Sequence, residues 1–163
     1  MILDNFLLLS GAISATGALT GQLVVANSVV STNTIDLGPL TIGGNQAGDT
    51  GAGASLDVAF GILVAPLTAT TVQFQLIQAD DAALTSNIQI ICQTDAFLIA
   101  ALPIGSLVPL GLDQAAPYAP KRFIGVRYIS TGATITALSV TCTIVKDVQS
   151  LKNIYFKSGF LIT

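Results

Sequence analysis

The chain has no histidine, no tryptophan and no glutamate, and each absence removes a class of function. Histidine is the side chain that ordinarily exchanges protons near neutrality, so Ser-His-Asp and Cys-His arrangements are excluded. With no His and only two cysteines, zinc lacks its usual ligands. We therefore expect no catalytic set, no cofactor and no metal site: the chain reads as a non-enzyme. Charge is scarce as well, with 9% of 163 residues ionisable as Asp, Glu, Lys or Arg, against about 25% in an ordinary domain. All six cations lie beyond residue 120, and only Lys121 and Arg122 are adjacent. With a net charge of -3, this argues against nucleic acid as a partner, because a phosphate backbone requires clustered Lys and Arg. Uninterrupted apolar runs are missing too. Thr, Asn, Gln, Asp or Gly interrupts every window long enough to span a bilayer, so no membrane helix is expected.

What is present is a largely neutral, apolar chain: 52% hydrophobic residues and a mean hydropathy of +0.75. Thr, Ser, Gln and Asn supply most of the polarity. Disorder needs low hydrophobicity and high net charge, the reverse of this composition. The length fits one domain around a single core. A surface this poor in ions is expected to be hidden against partners, so a homodimer or homotrimer is expected ahead of a monomer.

The first ten residues are apolar, but Asp4 is the only charge before residue 36 and no basic leader precedes them. They are expected to be an arm or short helix docking on the domain or a neighbour, not a signal peptide. Residues 23–37 are rich in Val, Thr and Ile and read as one or two strands. Residues 41–55, with five glycines, read as a long loop. Residues 56–64 form a strand that Pro66 ends. Residues 72–78 alternate, with Val72, Phe74 and Leu76 on one face and Gln73 and Gln75 on the other, as in a half-buried antiparallel strand. After Asp80 and Asp81 comes another strand, 88–94, with Ile88, Ile90 and Cys92 expected on one face. Shorter apolar runs follow at 97–102 and 107–112, then a Pro-rich loop at 115–120. Residues 122–129 place Ile124, Val126 and Tyr128 opposite Phe123 and Arg127. With the turn at 130–133 and the alternation over 135–148, they predict a β-hairpin. Repeated short strands with little helix predict an all-β fold, an antiparallel β-sandwich of jelly-roll type with short apolar N- and C-terminal arms. The expected limits are 1–22 for the first arm, 23–149 for the sandwich and 150–163 for the second arm. Tyr155, Phe156 and Phe160 in that last segment either pack on the sandwich or reach a neighbouring subunit.

Cys92 and Cys142 lie in apolar runs and read as buried reduced thiols, since a disulfide needs a Cβ geometry that spacing does not reveal. Asp49-Thr50-Gly51-Ala52 matches the short motif of aspartic proteases, but a polar Asn-Gln-Ala-Gly run precedes it, where those enzymes have an apolar strand. Asp36, Asp49 and Asp57 flank the glycine-rich loop without the alternating Asp spacing of a calcium loop. Asp80 and Asp81 read as solvated turn acids.

Met1-Ile2-Leu3-Asp4 with the Leu-rich stretch after it, and Ser31-Thr32-Asn33-Thr34-Ile35-Asp36-Leu37-Gly38, resemble the start of the small jelly-roll cement proteins of tailed bacteriophages. The resemblance continues at Gln78-Ala79-Asp80-Asp81, at Arg122-Phe123-Ile124-Gly125-Val126-Arg127-Tyr128, and at Asp147-Val148-Gln149. The chain departs from that pattern in a longer loop at 39–55 and an extension after Gln149. The resemblance implies a virion component on the outer capsid surface that bridges neighbouring major capsid subunits and stabilises the shell. The contacts with capsid or sister subunits are then expected at Ile2, Leu3, Phe6, Leu7, Leu8, Tyr155, Phe156 and Phe160, with Lys121 and Arg122 able to seat an acidic neighbour. The alternative is a jelly-roll receptor- or glycan-binding module on a virion or cell surface.

Overall fold

In the computed structural model of the protein, residues 7–38, 41–42, 45–46, 56–111 and 121–145 are described. The strands in chain order are β1 (Leu8–Ser10), β2 (Ala12–Ile13), β3 (Leu19–Thr20), β4 (Gln22–Val24), β5 (Ser28–Val30), β6 (Ile35–Asp36), β7 (Thr41–Ile42), β8 (Asn45–Gln46), β9 (Asp57–Val64), β10 (Ala69–Ala79), β11 (Gln89–Gln93), β12 (Phe97–Leu98), β13 (Leu107–Gly111), β14 (Phe123–Gly132) and β15 (Leu138–Val145). Among the described residues no α-helix occurs; a 3-10 turn spans Ile99–Ala101.

Two antiparallel sheets hold these strands. The first runs β1–β15–β9–β13, with β4 pairing beside β1 on the same edge of β15, and the second runs β11–β10–β14–β5, with β12 and β6 continuing its two edges. Apart from β10, β11 and β12, which follow one another within the second sheet, the chain passes back and forth between the sheets, and the resulting strand order is that of a jelly roll. The fold is therefore the expected antiparallel sandwich. The inward faces carry the apolar half of each alternating strand: Val58, Phe60 and Ile62 from β9, Val72, Phe74 and Leu76 from β10, Ile124, Val126 and Tyr128 from β14, and Leu138, Val140 and Cys142 from β15. At the centre, the Phe60 and Phe74 rings lie 4.8 Å apart, and Tyr128 meets both edge-on at 6.1 and 5.9 Å. That edge-to-face arrangement suits the ring quadrupoles. A smaller cluster of Ile77, Ala79 and Leu84 lies apart from the main core, packed with Val30, Ile88, Ile90 and Phe123.

Three expectations are corrected. The predicted hairpin of 122–129 with 135–148 does not form. β14 pairs with β10, β5 and β6, whereas β15 pairs with β9, β1 and β4 in the other sheet. The intervening residues cross between layers about 10 Å apart: Gly132 turns the chain at φ +82°, Ile135 is buried in the core, and Thr136 N donates to Leu67 O at 3.2 Å. Alternation shows that a strand has one buried face, but not which sheet it joins. Second, Ile88, Ile90 and Cys92 do not share a face. The β10–β11 register shifts between Leu76 and Ile77, so a bulge adds a residue to β11 and reverses its faces. Ile88 and Ile90 join the smaller cluster, while Ile91 and Cys92 pack against the main core.

Third, the N-terminal arm expected over 1–22 is corrected from residue 8 onward. β1 pairs with β15 through Leu8↔Thr143 and Ser10↔Cys142, and Leu8, Leu9 and Ser10 are fully buried. The side chain of Asn33 donates to Leu8 O and Gly11 O at 3.0 and 3.1 Å, and the Tyr128 hydroxyl donates to Ser10 Oγ at 2.6 Å. β4 likewise begins one residue earlier than expected, and Gln22 ties the two sheets together. Its Nε2 donates to Val30 O at 2.6 Å and its Oε1 accepts from Thr32 N at 2.9 Å. These segments close the open edge of the sandwich, so their backbone polar groups are satisfied inside the domain.

Candidate functional site

The register fixes two ends of the sandwich. Asp57, Gly111 and Val145 align at one end of the first sheet, and Asp36, Ala79 and Phe123 align at the matching end of the second. Ala69, Gly132 and Leu98 mark the opposite end of the second sheet, which the connections 65–68 and 133–137 join to Val64 and Leu138 of the first.

The charged end holds Lys121 and Arg122, two of the residues expected to meet a neighbour. Both are engaged within the chain. Lys121 Nζ lies 2.7 Å from Asp80 Oδ1, with its side chain only 13% exposed, and its backbone N donates to Gln78 Oε1 at 3.1 Å. Arg122 donates through Nε and Nη2 to the two oxygens of Asp36, each at 2.7 Å, and its guanidinium stands 5.0 Å from the Phe123 ring centroid. Such a forked pair is the stronger geometry for a surface ion pair. The Arg122 hydrogen bonds, with help from Gly38 N, lower the Asp36 carboxyl to about 2. Lys121 and Asn87 hold Asp80 below the usual carboxylate range. Asp81, which accepts from Ser86 N and Thr85, is held low in the same way. These are acids stabilised as anions, the opposite of what a general acid requires. Among the described residues no three His, Cys, Asp or Glu side chains gather as a metal cluster, and no helix is long and apolar enough to cross a membrane. The Asp-Thr-Gly-Ala tetrapeptide at 49–52 lies outside the described residues.

The outward face of the second sheet carries a polar row of glutamine amides ended by one cation, Arg127. Arg127 Nε donates to Gln75 Oε1 at 2.7 Å, and Gln75 Nε2 donates to Gln93 Oε1 at 2.8 Å, across three strands. Gln73 Nε2 adds a bond to Thr94 O at 2.8 Å. This accounts for the Gln half of the alternation: the amides pair laterally and lower the cost of a partly covered polar face.

The opposite end is apolar. The chain segments 25–27, 64–71, 94–106 and 130–138 meet there, and together they contain one charge, Asp95. Ile104, Leu98 and Leu67 are 70%, 61% and 56% exposed, with Val25 and Val64 also exposed. The sequence-based expectation placed contacts on the apolar termini and at Lys121 and Arg122, not on these residues. The signal of this cluster in the sequence was the near absence of charge from four separate turns.

Of the other expected contact residues, Ile2, Leu3, Phe6, Tyr155, Phe156 and Phe160 lie outside the described residues. Leu7 is exposed, and its carbonyl accepts from Thr143 Oγ1 at 3.2 Å. Leu8 is corrected: it is buried in the first sheet and has no surface left to offer a partner. Cys92 and Cys142 are thiols with no disulfide between them, Cys142 buried and Cys92 half-buried. Burial pushes the Cys142 thiol well up.

The chain matches the family described as Bbp16 over residues 18–144, from just before β3 to the penultimate residue of β15. The match spans well over half of the sequence, and the chain belongs to that family. No curated protein matches it.

Proposed function

We propose that this member of the Bbp16 family is a structural virion protein, a cement protein that binds the outer surface of a phage capsid and bridges neighbouring major capsid subunits. The observation that carries the reading is where the resembling segments meet. The stretches 31–38, 78–81 and 122–128, far apart in sequence, lie side by side at the charged end of the second sheet. Asp36 sits opposite Phe123, which sits opposite Ala79, and the Asp36–Arg122 and Asp80–Lys121 pairs lock the three together. The resemblance to phage cement proteins thus falls on one structural unit, which supports it as a likeness of build and not a scatter of short matches. A protein that works by holding subunits together needs area, rigidity and copy number. Many copies on a symmetric shell multiply a modest interface through avidity.

The test is to mix the purified chain with expanded shells of the phage that encodes it, lacking this protein, and to image the pelleted particles by electron microscopy. Added density on the outer surface and higher shell heat resistance are expected. A chain that stays in the supernatant refutes the reading. The receptor- or glycan-binding alternative draws on the Gln73–Gln75–Gln93–Arg127 row, whose amides and guanidinium match sugar hydroxyls. Glycan-array binding lost in Gln93→Ala, at the exposed end of the row, would favour it.

A further inference from the structure

We propose that the Gln73–Gln75–Gln93–Arg127 row binds an acidic saccharide, the Arg127 guanidinium taking the sugar carboxylate and the amides its hydroxyls. The proposal rests on the glycan-binding alternative and deepens it by naming the sugar class and the residue that selects it. The register sets Val30, Arg127, Gln75 and Gln93 level with one another across β5, β14, β10 and β11. Arg127 differs from Lys121 and Arg122 in having no acid. Those two are paired within the chain, whereas Arg127 enters no ion pair among the described residues. Its Nε is engaged, donating to Gln75 Oε1 at 2.7 Å. The two Nη atoms are left as a planar fork, the geometry that meets a carboxylate with two parallel hydrogen bonds.

The fork is oriented in advance. Gln75, which pins it, is only 5% exposed although it belongs to the outward face, and its own amide is fixed by Gln93 Oε1 at 2.8 Å. A half-buried cation without a counter-ion carries a desolvation cost that a bound anion offsets. Gln93 is exposed and enters the row through Oε1, which leaves its Nε2 for a ligand hydroxyl. Two strand spacings, about 10 Å, separate Arg127 from Gln93, within the reach of a disaccharide. Toward the loop end the same face continues as the paired hydroxyls of Thr71 and Thr131. Among the described residues no exposed large hydrophobic side chain stands level with the row. The face thus lacks the apolar centre on which protein partners dock, while coplanar amides and hydroxyls suit a polyol. A second copy laid on the row about a two-fold axis would set Arg127 against Arg127. Asp36, Asp80 and Asp81 of a copy approaching in any other way are already held by their own hydrogen bonds.

The experiment applies the full chain to an array of sialic-acid and uronic-acid oligosaccharides, their carboxyl methyl esters and their neutral counterparts, with calorimetric titration of the acidic sugar that binds best. Acidic sugars are expected to bind, and the methyl ester to bind at least about tenfold more weakly; that comparison needs no variant. Arg127→Gln is expected to lose as much, and Arg127→Lys, which keeps the charge without the fork, to recover only part. Arg122→Gln, whose guanidinium is already paired, is the control and binds as the wild type; circular dichroism checks that each variant keeps its fold. Neutral sugars or esters bound as tightly as the acids, or Arg127→Gln binding as the wild type while Gln93→Ala weakens, overturn the acid selection and leave the glycan reading standing. No binding to any sugar overturns both and leaves the cement reading untouched. An aspartate-rich peptide that displaces the sugar at equal affinity overturns the proposal by giving the fork to a protein partner.

Discussion

The Tyr128–Ser10 hydrogen bond offers a measurement of how firmly β1 belongs to the domain. Both groups are fully buried, their oxygens are 2.6 Å apart, and they join strands of opposite sheets across the core. Tyr128→Phe keeps the ring and its edge contacts with Phe60 and Phe74 but leaves the Ser10 hydroxyl without that partner. Stranding a buried hydroxyl costs about 1–3 kcal/mol. Ser10→Ala strands the phenol in the same way at similar cost. Removing both groups leaves two apolar surfaces and a gap the size of two hydroxyls, so the double variant is expected within about 1 kcal/mol of the wild type. The two single losses should thus fail to add: if each costs about 2 kcal/mol, the coupling is about 3 kcal/mol. For a chain of this length a loss of 2 kcal/mol lowers Tm by about 4–8 °C. Urea titrations with unchanged slope give the stabilities, and hydrogen exchange at Leu8–Ser10 reports whether β1 loosens. Single variants within about 0.5 kcal/mol of the wild type, or strictly additive losses, would refute the claim that this strand is seated by a dry polar lock.

Three further outcomes are expected. Gly125→Ala should cost about 1–3 kcal/mol, because the new Cβ would meet Leu84 Cδ1 and lie 2.7 Å from Ser31 Oγ; the cost should shrink in a Leu84→Ala background, and equal cost there would count against the contact. The folded Asp36 carboxyl is lowered from its ordinary 3.8 to about 2, so its contribution to stability is complete above about pH 4 and is lost as pH falls through about 2; Tm measured across that window should fall more steeply for the wild type than for Arg122→Gln, and parallel curves would sink the pairing. A thiol reagent should modify Cys142 only as fast as the domain opens, and mass spectrometry finding it labelled as quickly in the native chain as in urea would contradict its burial.

The sandwich was legible because β10, β14 and β15 each carry a period-2 pattern through their central residues, and that pattern is imposed by burial of one face. Partner choice was not legible. β14 and β15 look like a hairpin in one dimension because nothing in their residues records the layer crossing at 133–137; only the burial of Ile135 does. The β11 faces were misread for a related reason, since a bulge is a property of two strands together. Leu8 and Leu9 looked like an arm because a three-residue edge strand is too short to show alternation. The ion pairs of Lys121 and Arg122 were invisible because Asp80 and Asp36 are 41 and 86 residues away. The loop-end cluster was readable only as an absence of charge spread over four turns.

The pairing of β1 with β15 has a mechanical consequence. Leu8 lies opposite Thr143, so the two ends of the domain leave from neighbouring strands on the same side. Tension applied through them would peel β1 from β15, loading the hydrogen bonds in sequence and not all at once as in shear. The ends of the chain are thus weak points for pulling on the domain.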